Sequence, residues 1–361
     1  MSRWRKWGRA ALVALAIFLV VVSILPLWWT DHWWVRLWDF PRLQVAALLF
    51  VTGAILCFVE LGPWRWWLVG LVAAALAWQV SHFLSYLPYY PKQVRRTASC
   101  APERQVSLIT ANVLMTNRDF PKLLRLVEQR QPDLLLLLET DEAWSKAVEP
   151  LNKIYPFQLS EPLPNTYGLI LMSRLPMTGS IRHRLQRGIP SADTSLTLRD
   201  GSVIRLHALH PEPPLPGDNS GERDAELVMV GRQVRDEGFA AVVVGDLNDV
   251  AWSRTSRLFR KVAGMGDPRI GRGLYPTFNA RYPLLRWPLD HLFVSPHFEL
   301  IDLDRLPDIG SDHFPMAFRL CLKGSPSRRK VAPSASPATE AEATEELQAG
   351  KLEKREEQGA R

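Results

Sequence analysis

The chain has 361 residues, 47% hydrophobic and 22% charged, with a formal net charge of +7, which is room for one large domain and a further segment. Three cysteines, Cys57, Cys100 and Cys321, exclude a disulfide scaffold and a zinc ribbon. The positive balance favours phosphate-bearing partners, lipid headgroups included, without choosing among them.

Three apolar runs without a charged residue come first: Ala10 to Trp29, Leu43 to Val59 and Trp66 to Leu84. Each approaches the ~20 residues a helix needs to cross a bilayer core of ~30 Å. Trp28, Trp29, Trp33, Trp34, Trp38, Trp64, Trp66 and Trp67 gather at the ends of these runs, where an aromatic ring with one polar edge bridges lipid and water. A cleaved leader is the rival for the first run, weakened by the lack of a small-residue cleavage site and by the two runs that follow. The pattern predicts a membrane region over 1–92 with spans at about 10–29, 43–59 and 66–84, then a juxtamembrane linker over 93–104. Gln79 and His82, near the end of the third run, are expected at the interface. Arg3, Arg5, Lys6 and Arg9 precede the first span and favour a cytoplasmic N-terminus. Lys92, Arg95 and Arg96 weigh the other way. The expectation is a multi-pass protein of the cell (inner) membrane whose large domain faces away from the cytoplasm.

From Gln105 the pattern changes. "QVSLITANV" reads as a short strand, "RDFPKLLRLVEQRQPD" as an amphipathic helix, and "PDLLLLLET" as a strand buried on both faces. Further strands are expected at Gly168 to Met172, Val203 to His207, Ala241 to Val244, His291 to Val294 and Met316 to Leu320, with a helix from Glu222 to Glu237. "HPEPPLPGDNSGE" and "GMGDPRIGRGLYP" read as surface loops. The predicted fold class is α/β, a four-layered sandwich of two packed mixed sheets flanked by helices over 105–323, preceded by an all-α transmembrane region. Residues 324–361 are nearly devoid of large apolar side chains and are expected to form a disordered charged tail with transient helix from Thr339. No internal repeat is visible.

Polar residues recur where these strands end. Strand one reaches Asn112, "PDLLLLLE" reaches Glu139, "VIRLHALH" reaches His210, and "AAVVVGD" reaches Asp246 with Asn248 two residues on. "RWPLDHLFVS" begins at Asp290, and "IGSDHFPMAF" begins with Asp312 and His313. Any one of them reads best as a turn residue; six in one domain are hard to assign to turns alone.

Together, "TANV", "PDLLLLLET", "YGLILMSRLP", "LHALH", "VVVGDLND", "PLDHLFVS" and "GSDHFPMAF", in this order, resemble the endonuclease/exonuclease/phosphatase (deoxyribonuclease-I-like) superfamily. The layout is similar to a bacterial membrane-anchored subgroup with three N-terminal transmembrane helices. The resemblance covers roughly Gln105 to Leu322 and implies a divalent-metal-dependent phosphoesterase. Glu139, Asn112 and Asp312 correspond to positions at or near the metal, a hard Mg²⁺ or Mn²⁺. Asp246 and Asn248, two apart on an extended segment and so pointing the same way, correspond to the pair that orients water and contacts phosphate. His313 resembles the catalytic histidine, held by Asp290, as general base or as a charge facing the phosphate. His210 matches a second histidine on the leaving side. Arg174 and Tyr167 are weaker candidates for substrate binding. His291 is expected on the opposite face, and Asp249 is expected to cap the following turn. Leu114 departs from members that carry an acid two positions after the first Asn.

In this family the first and last strands lie side by side, which implies that Cys100 and Cys321 approach and bond in an oxidising compartment. The implied partners are a phosphate-ester substrate (nucleic acid, phospholipid or small phosphoester) and a lipid bilayer, with no protein partner evident. The rival reading is a catalytically decayed binding or scaffold protein on the same fold.

Overall fold

The computed structural model describes residues 3–28, 30–186, 188–213, 219–323 and 335–359. The chain divides into two compact units, one built on the residues up to Tyr90 and one on those from Pro91. Trp29, the centre of the first expected loop (214–218) and the first part of the expected tail (324–334) lie outside the described residues.

The first unit consists of α1 (Arg3–Ile24), the single turn α2 (Trp33–Arg36), α3 (Arg42–Phe58) and α4 (Arg65–Ser81). Ala16, Leu19 and Val22 of α1, Val45 and Leu49 of α3, and Leu68, Val72 and Ala75 of α4 recur at three- and four-residue spacing and form one shared core. Two helical stretches, Arg3–Leu27 and Arg65–Tyr86, are long and apolar enough to cross a membrane. A third qualifies if Trp33–Asp39 and Arg42–Phe58, bent by 70°, count as one span. Gln79 is fully buried, its Nε2 donating to Ser23 Oγ (3.0 Å) and its Oε1 accepting from Arg42 Nη1 (3.0 Å). A buried amide is tolerated where its donors and acceptors are matched, and here the ends of two other helices, α1 and α3, supply the partners.

The second unit is a four-layered α/β sandwich. One sheet has the order β10-β11-β1-β2-β4-β3, from β1 (Gln105–Asn112), β2 (Leu134–Leu138), β3 (Phe157–Glu161), β4 (Leu169–Ser173), β10 (Phe298–Arg305) and β11 (Met316–Leu322). The other is β5-β6-β7-β8-β9, from β5 (Met177–Arg182), β6 (Ser191–Thr197), β7 (Val203–Leu209), β8 (Ala241–Asp246) and β9 (Asp290–Val294). Both are mixed, since β1–β2 and β7–β8 are parallel and the other pairs antiparallel.

The five leucines of β2 show why the run is unbroken. Leu134, Leu136 and Leu138 face the core between the sheets, while Leu135 and Leu137 face α5 (Phe120–Arg130) and α6 (Glu142–Val148) on the outside. β8 divides likewise, with Val242 and Val244 inward and Val243 outward against α7 (Gly221–Glu237) and α8 (Arg254–Ala263). A strand covered on both faces has no place for a polar alternate.

Two expectations are corrected. Segment 93–104 is part of the second unit rather than a linker: Val94 is buried in the inter-sheet core and Thr97 N donates to Leu300 O at 2.9 Å. The described part of the expected tail is helix α9 (Pro337–Gly359), packed on α7 and α8 through Ala343 and Leu347. Its Glu342 and Glu346 pair with Arg254 at 2.7 and 2.8 Å, and Glu340 pairs with Arg232 at 3.2 Å. At Gly350 a Cβ would stand 2.4 Å from Gly221 O, so only glycine permits this approach to α7. Composition missed α9 because its stabilising partners are arginines on distant helices. Cys100 and Cys321 form a disulfide with Cα atoms 6.0 Å apart.

Candidate active site

Strand direction gathers the polar residues. β1 and β2 run parallel with Asn112 beside Leu138, so Asn112 and Glu139 emerge together. β7 and β8 run parallel with Leu209 beside Gly245, so His210 and Asp246 emerge together. Antiparallel β9 and β11 begin at that end, which brings Asp290, Asp312 and His313. Gly245 is required there: its φ is 150° and a Cβ would stand 1.8 Å from Leu209 O.

Asn112 Nδ2 donates to Glu139 Oε1 (2.7 Å) and to Asp246 Oδ2 (3.1 Å), tying the two sheets together. His313 Nδ1 lies 2.9 Å from Asp290 Oδ2 and its Nε2 3.5 Å from Asp246 Oδ2. His210 Nε2 approaches the same Asp246 oxygen at 3.9 Å. Asp246 is therefore flanked by both imidazoles and the Asn112 amide.

Asn248 does join this group, but not on an extended segment. β8 ends at Asp246, and Asn248 has a left-handed φ of 49°, its backbone N donating to Asp246 Oδ1 at 2.9 Å. Its Nδ2 is spent on Pro211 O (2.9 Å), so the side-chain oxygen is the atom left to orient. Asp249 accepts from Val250 N and from the hydroxyl of Ser253, and Ser253 rather than Asp249 is the N-cap of α8. His291 is buried away from the group, between Asp249 O and Arg269 Nη2, each at 2.9 Å. Tyr167 lies beside His210, ring centroids 5.5 Å apart. Arg174 does not reach the site. β4 is antiparallel to β2, so Arg174 leaves it at the opposite end, where its Nη1 donates to Gln131 O at 3.2 Å.

Three positioning residues escaped the sequence reading. Arg223 on α7 is buried and donates from Nη1 to Asn248 O at 3.0 Å. Ser311 Oγ donates to Asn112 O (2.8 Å) and accepts from His313 N (3.0 Å). Thr277 Oγ1 accepts from Asp290 N at 3.3 Å. Ser311 stands inside "GSDH" and was legible there; Arg223 is one charged residue among many on its helix and carries no local signal.

Burial opposes a charge on His313, but the Asp246 and Asp290 carboxylates outweigh it and raise its pKa to about 10. Asp290 is held low because the charge and hydrogen bond of His313 overcome its burial. Burial raises Asp246 against the pull of His313. Burial, reinforced by the His313 charge, lowers His210 to about 3. Burial also raises Glu139, partly offset by its hydrogen bond from Asn112. The two imidazoles are thus pushed in opposite directions, His313 towards its protonated form and His210 towards its neutral one.

The donor set fits a hard divalent cation. The carboxylates of Glu139, Asp246, Asp290 and Asp312 share the charge of His313. Such a surplus of oxygen anions suits magnesium-like ions. Asp246, Asp290 and His313 bring ligand-type atoms within 4.8 Å of one another. In that trio His313 Nδ1 already faces Asp290 Oδ2, while Asn112 turns its Nδ2 to Glu139 and Asp246 and its Oδ1 accepts from Leu114 N at 3.1 Å.

A family model described as "Endonuclease/Exonuclease/phosphatase family" matches residues 109–313. A solved endonuclease/exonuclease/phosphatase from Beutenbergia cavernae is similar with a TM-score of 0.51 at 19% identity, over 62% of this chain and 72% of that one. The human Nocturnin catalytic domain, solved with a bound sulfate anion, is similar with a TM-score of 0.50 at 15% identity, over 62% and 95%. At these identities the likeness is one of fold. A comparison with curated proteins gave no match.

Proposed function

The chain belongs to the endonuclease/exonuclease/phosphatase family, whose members are hydrolases acting on phosphate esters, and we propose that it is a membrane-anchored, divalent-metal-dependent phosphoesterase. The observation that carries the reading is the Asp290–His313 pair at 2.9 Å with Asp246 3.5 Å from the other imidazole nitrogen.

Glu139 and Asp312, with Asn112 positioning Glu139 through its Nδ2, would hold a Mg²⁺ or Mn²⁺ ion, which would supply charge neutralisation at the phosphoryl oxygens and acidify water. Asp246, whose Oδ1 accepts from Asn248 N, orients the attacking water and takes its proton. His313, whose protonated form the Asp246 and Asp290 carboxylates favour, acts as the cation facing the phosphate. Asp290 holds that imidazolium in place through Nδ1. His210, neutral and adjacent to Asp246, offers a hydrogen bond on the leaving side, with Tyr167 against its ring.

The apolar helices support anchoring: Phe50, Val51, Trp67 and Leu71 face outward and exposed, as lipid-facing residues do. The Cys100–Cys321 disulfide favours an oxidising compartment and hence a domain outside the cytoplasm. The test is turnover of bis(p-nitrophenyl) phosphate by the full chain in detergent. Mg²⁺ or Mn²⁺ is expected to support hydrolysis and a chelator to abolish it, with Glu139→Gln at least ~100-fold slower. Absence of turnover with any divalent ion would leave a binding protein and defeat the reading.

A further inference from the structure

Residues 278–287, "FNARYPLLRW", form a hairpin whose stem is built onto the candidate site. Phe278 N donates to Trp287 O at 3.0 Å, and Asn279 N to Leu285 O at 3.0 Å. Ala280 N donates to Asp312 O at 2.7 Å, and the Phe278 ring lies 4.8 Å from the His313 ring. The base of the loop is stiffened further by Arg286, which donates to Asn279 O and Ala280 O and stacks over Phe314 at 4.9 Å.

The tip is the opposite in character. Tyr282 is 59% exposed, Leu284 85% and Leu285 47%. Elsewhere among the described residues from Pro91 on, the large apolar side chains left this open are Ile154, Val203 and Leu352, each isolated. Scattered exposed apolar residues need no explanation, but a cluster on a stem fixed to the site marks an interaction surface. Arg281 and Arg286 bracket the apolar tip in sequence. Aromatic and leucine side chains between arginines match the interfacial layer of a bilayer, where apolar groups enter the acyl boundary and cations meet headgroup phosphates. The same chain carries helices apolar enough to cross a membrane, so a lipid surface is the occupant this chemistry favours over a protein or a nucleic acid.

We propose that the 281–286 tip docks into the interfacial layer of a phospholipid membrane and that the site it adjoins acts on phosphoesters carried by lipid headgroups. The proposal rests on the phosphoesterase reading and adds to it a substrate class and the residues that select it. Tyr282, Leu284 and Leu285 set the approach, and Arg281 supplies headgroup attraction.

The test uses the full chain reconstituted in vesicles of phosphatidylcholine and phosphatidylglycerol. In a Cys57→Ser background, an environment-sensitive fluorophore on Leu284→Cys is expected to shift to the blue and to be quenched by nitroxide-bearing lipids, whereas one on Ile154→Cys is not. A Leu284→Ser/Leu285→Ser double variant is expected to cleave vesicle phospholipid about tenfold more slowly while hydrolysing bis(p-nitrophenyl) phosphate unchanged. The soluble ester reports folding and separates the two readings. If the unaltered chain hydrolyses neither substrate, the phosphoesterase reading itself fails. If it hydrolyses the soluble ester but no vesicle lipid, or the double variant keeps full vesicle activity, the docking proposal is overturned. Protection of the Leu284→Cys probe by single-stranded DNA, without lipid quenching, overturns it as well.

Discussion

His313 and Asp290 meet at 2.9 Å inside the protein, one at the start of β9 and the other just before β11, on different sheets. Asp290 contributes both a hydrogen bond and a charge, and with Asp246 it keeps the imidazole protonated. Asp290→Asn preserves the shape and removes the charge, so kcat on a soluble phosphodiester is expected to fall about 100-fold. His313→Ala should cost at least as much, and the double variant little more, because the two act as a unit. Full activity in Asp290→Asn would remove the pair from the mechanism.

Arg223 reaches the site only through the Asn248 carbonyl. Arg223→Ala removes the guanidinium from that carbonyl and from its ion pair with Asp224, a change worth about 3 kcal/mol of stability. Its effect on the reaction separates positioning from mere support: kcat is expected to drop about tenfold with KM nearly unchanged. Arg223→Lys should rescue stability more than kcat, since an ammonium lacks the guanidinium fork. Equal losses in kcat/KM through KM alone would refute the positioning role.

The disulfide links residues 221 apart in sequence. Closing so long a loop restricts the unfolded chain, and its removal by Cys321→Ala is expected to cost about 2–4 kcal/mol. The thermal midpoint of the full chain should fall on adding reductant, and reductant should have no further effect on Cys321→Ala.

Asp193 of β6 predicts the acid response. Burial would raise its pKa, but the hydrogen bond from His207 and the Arg184 charge outweigh burial and lower it from 3.8 to about 2. A carboxylate depressed in the folded state stabilises the protein above pH 3.8 and loses that contribution as pH falls towards 2. Asp193→Asn should therefore lower stability at neutral pH, by about 1 kcal/mol once solvent screening at this partly exposed site is counted. It should also flatten the decline in urea midpoint between pH 4 and 2. An unchanged acid profile would show that the ion pair contributes nothing.

Much of this protein is local in origin. The unbroken leucines of β2 and valines of β8 require strands covered on both faces. The apolar N-terminal runs require helices, and the polar residues that end each strand were visible with their order. Those features depend on periodicity and composition, which act over a few residues.

Tertiary structure decided the rest, because the remaining interactions join residues far apart in sequence. Register and strand direction brought Asp246 and His313 together across two sheets and sent Arg174 to the far end. The turn after β8, not an extended backbone, aimed Asn248. Gln79 became a buried bridge only because Ser23 and Arg42 converge on it, and α9 became a docked helix only because Arg232 and Arg254 await its glutamates. A charged or amide side chain reads as solvent-facing until the partner that compensates its burial is in place.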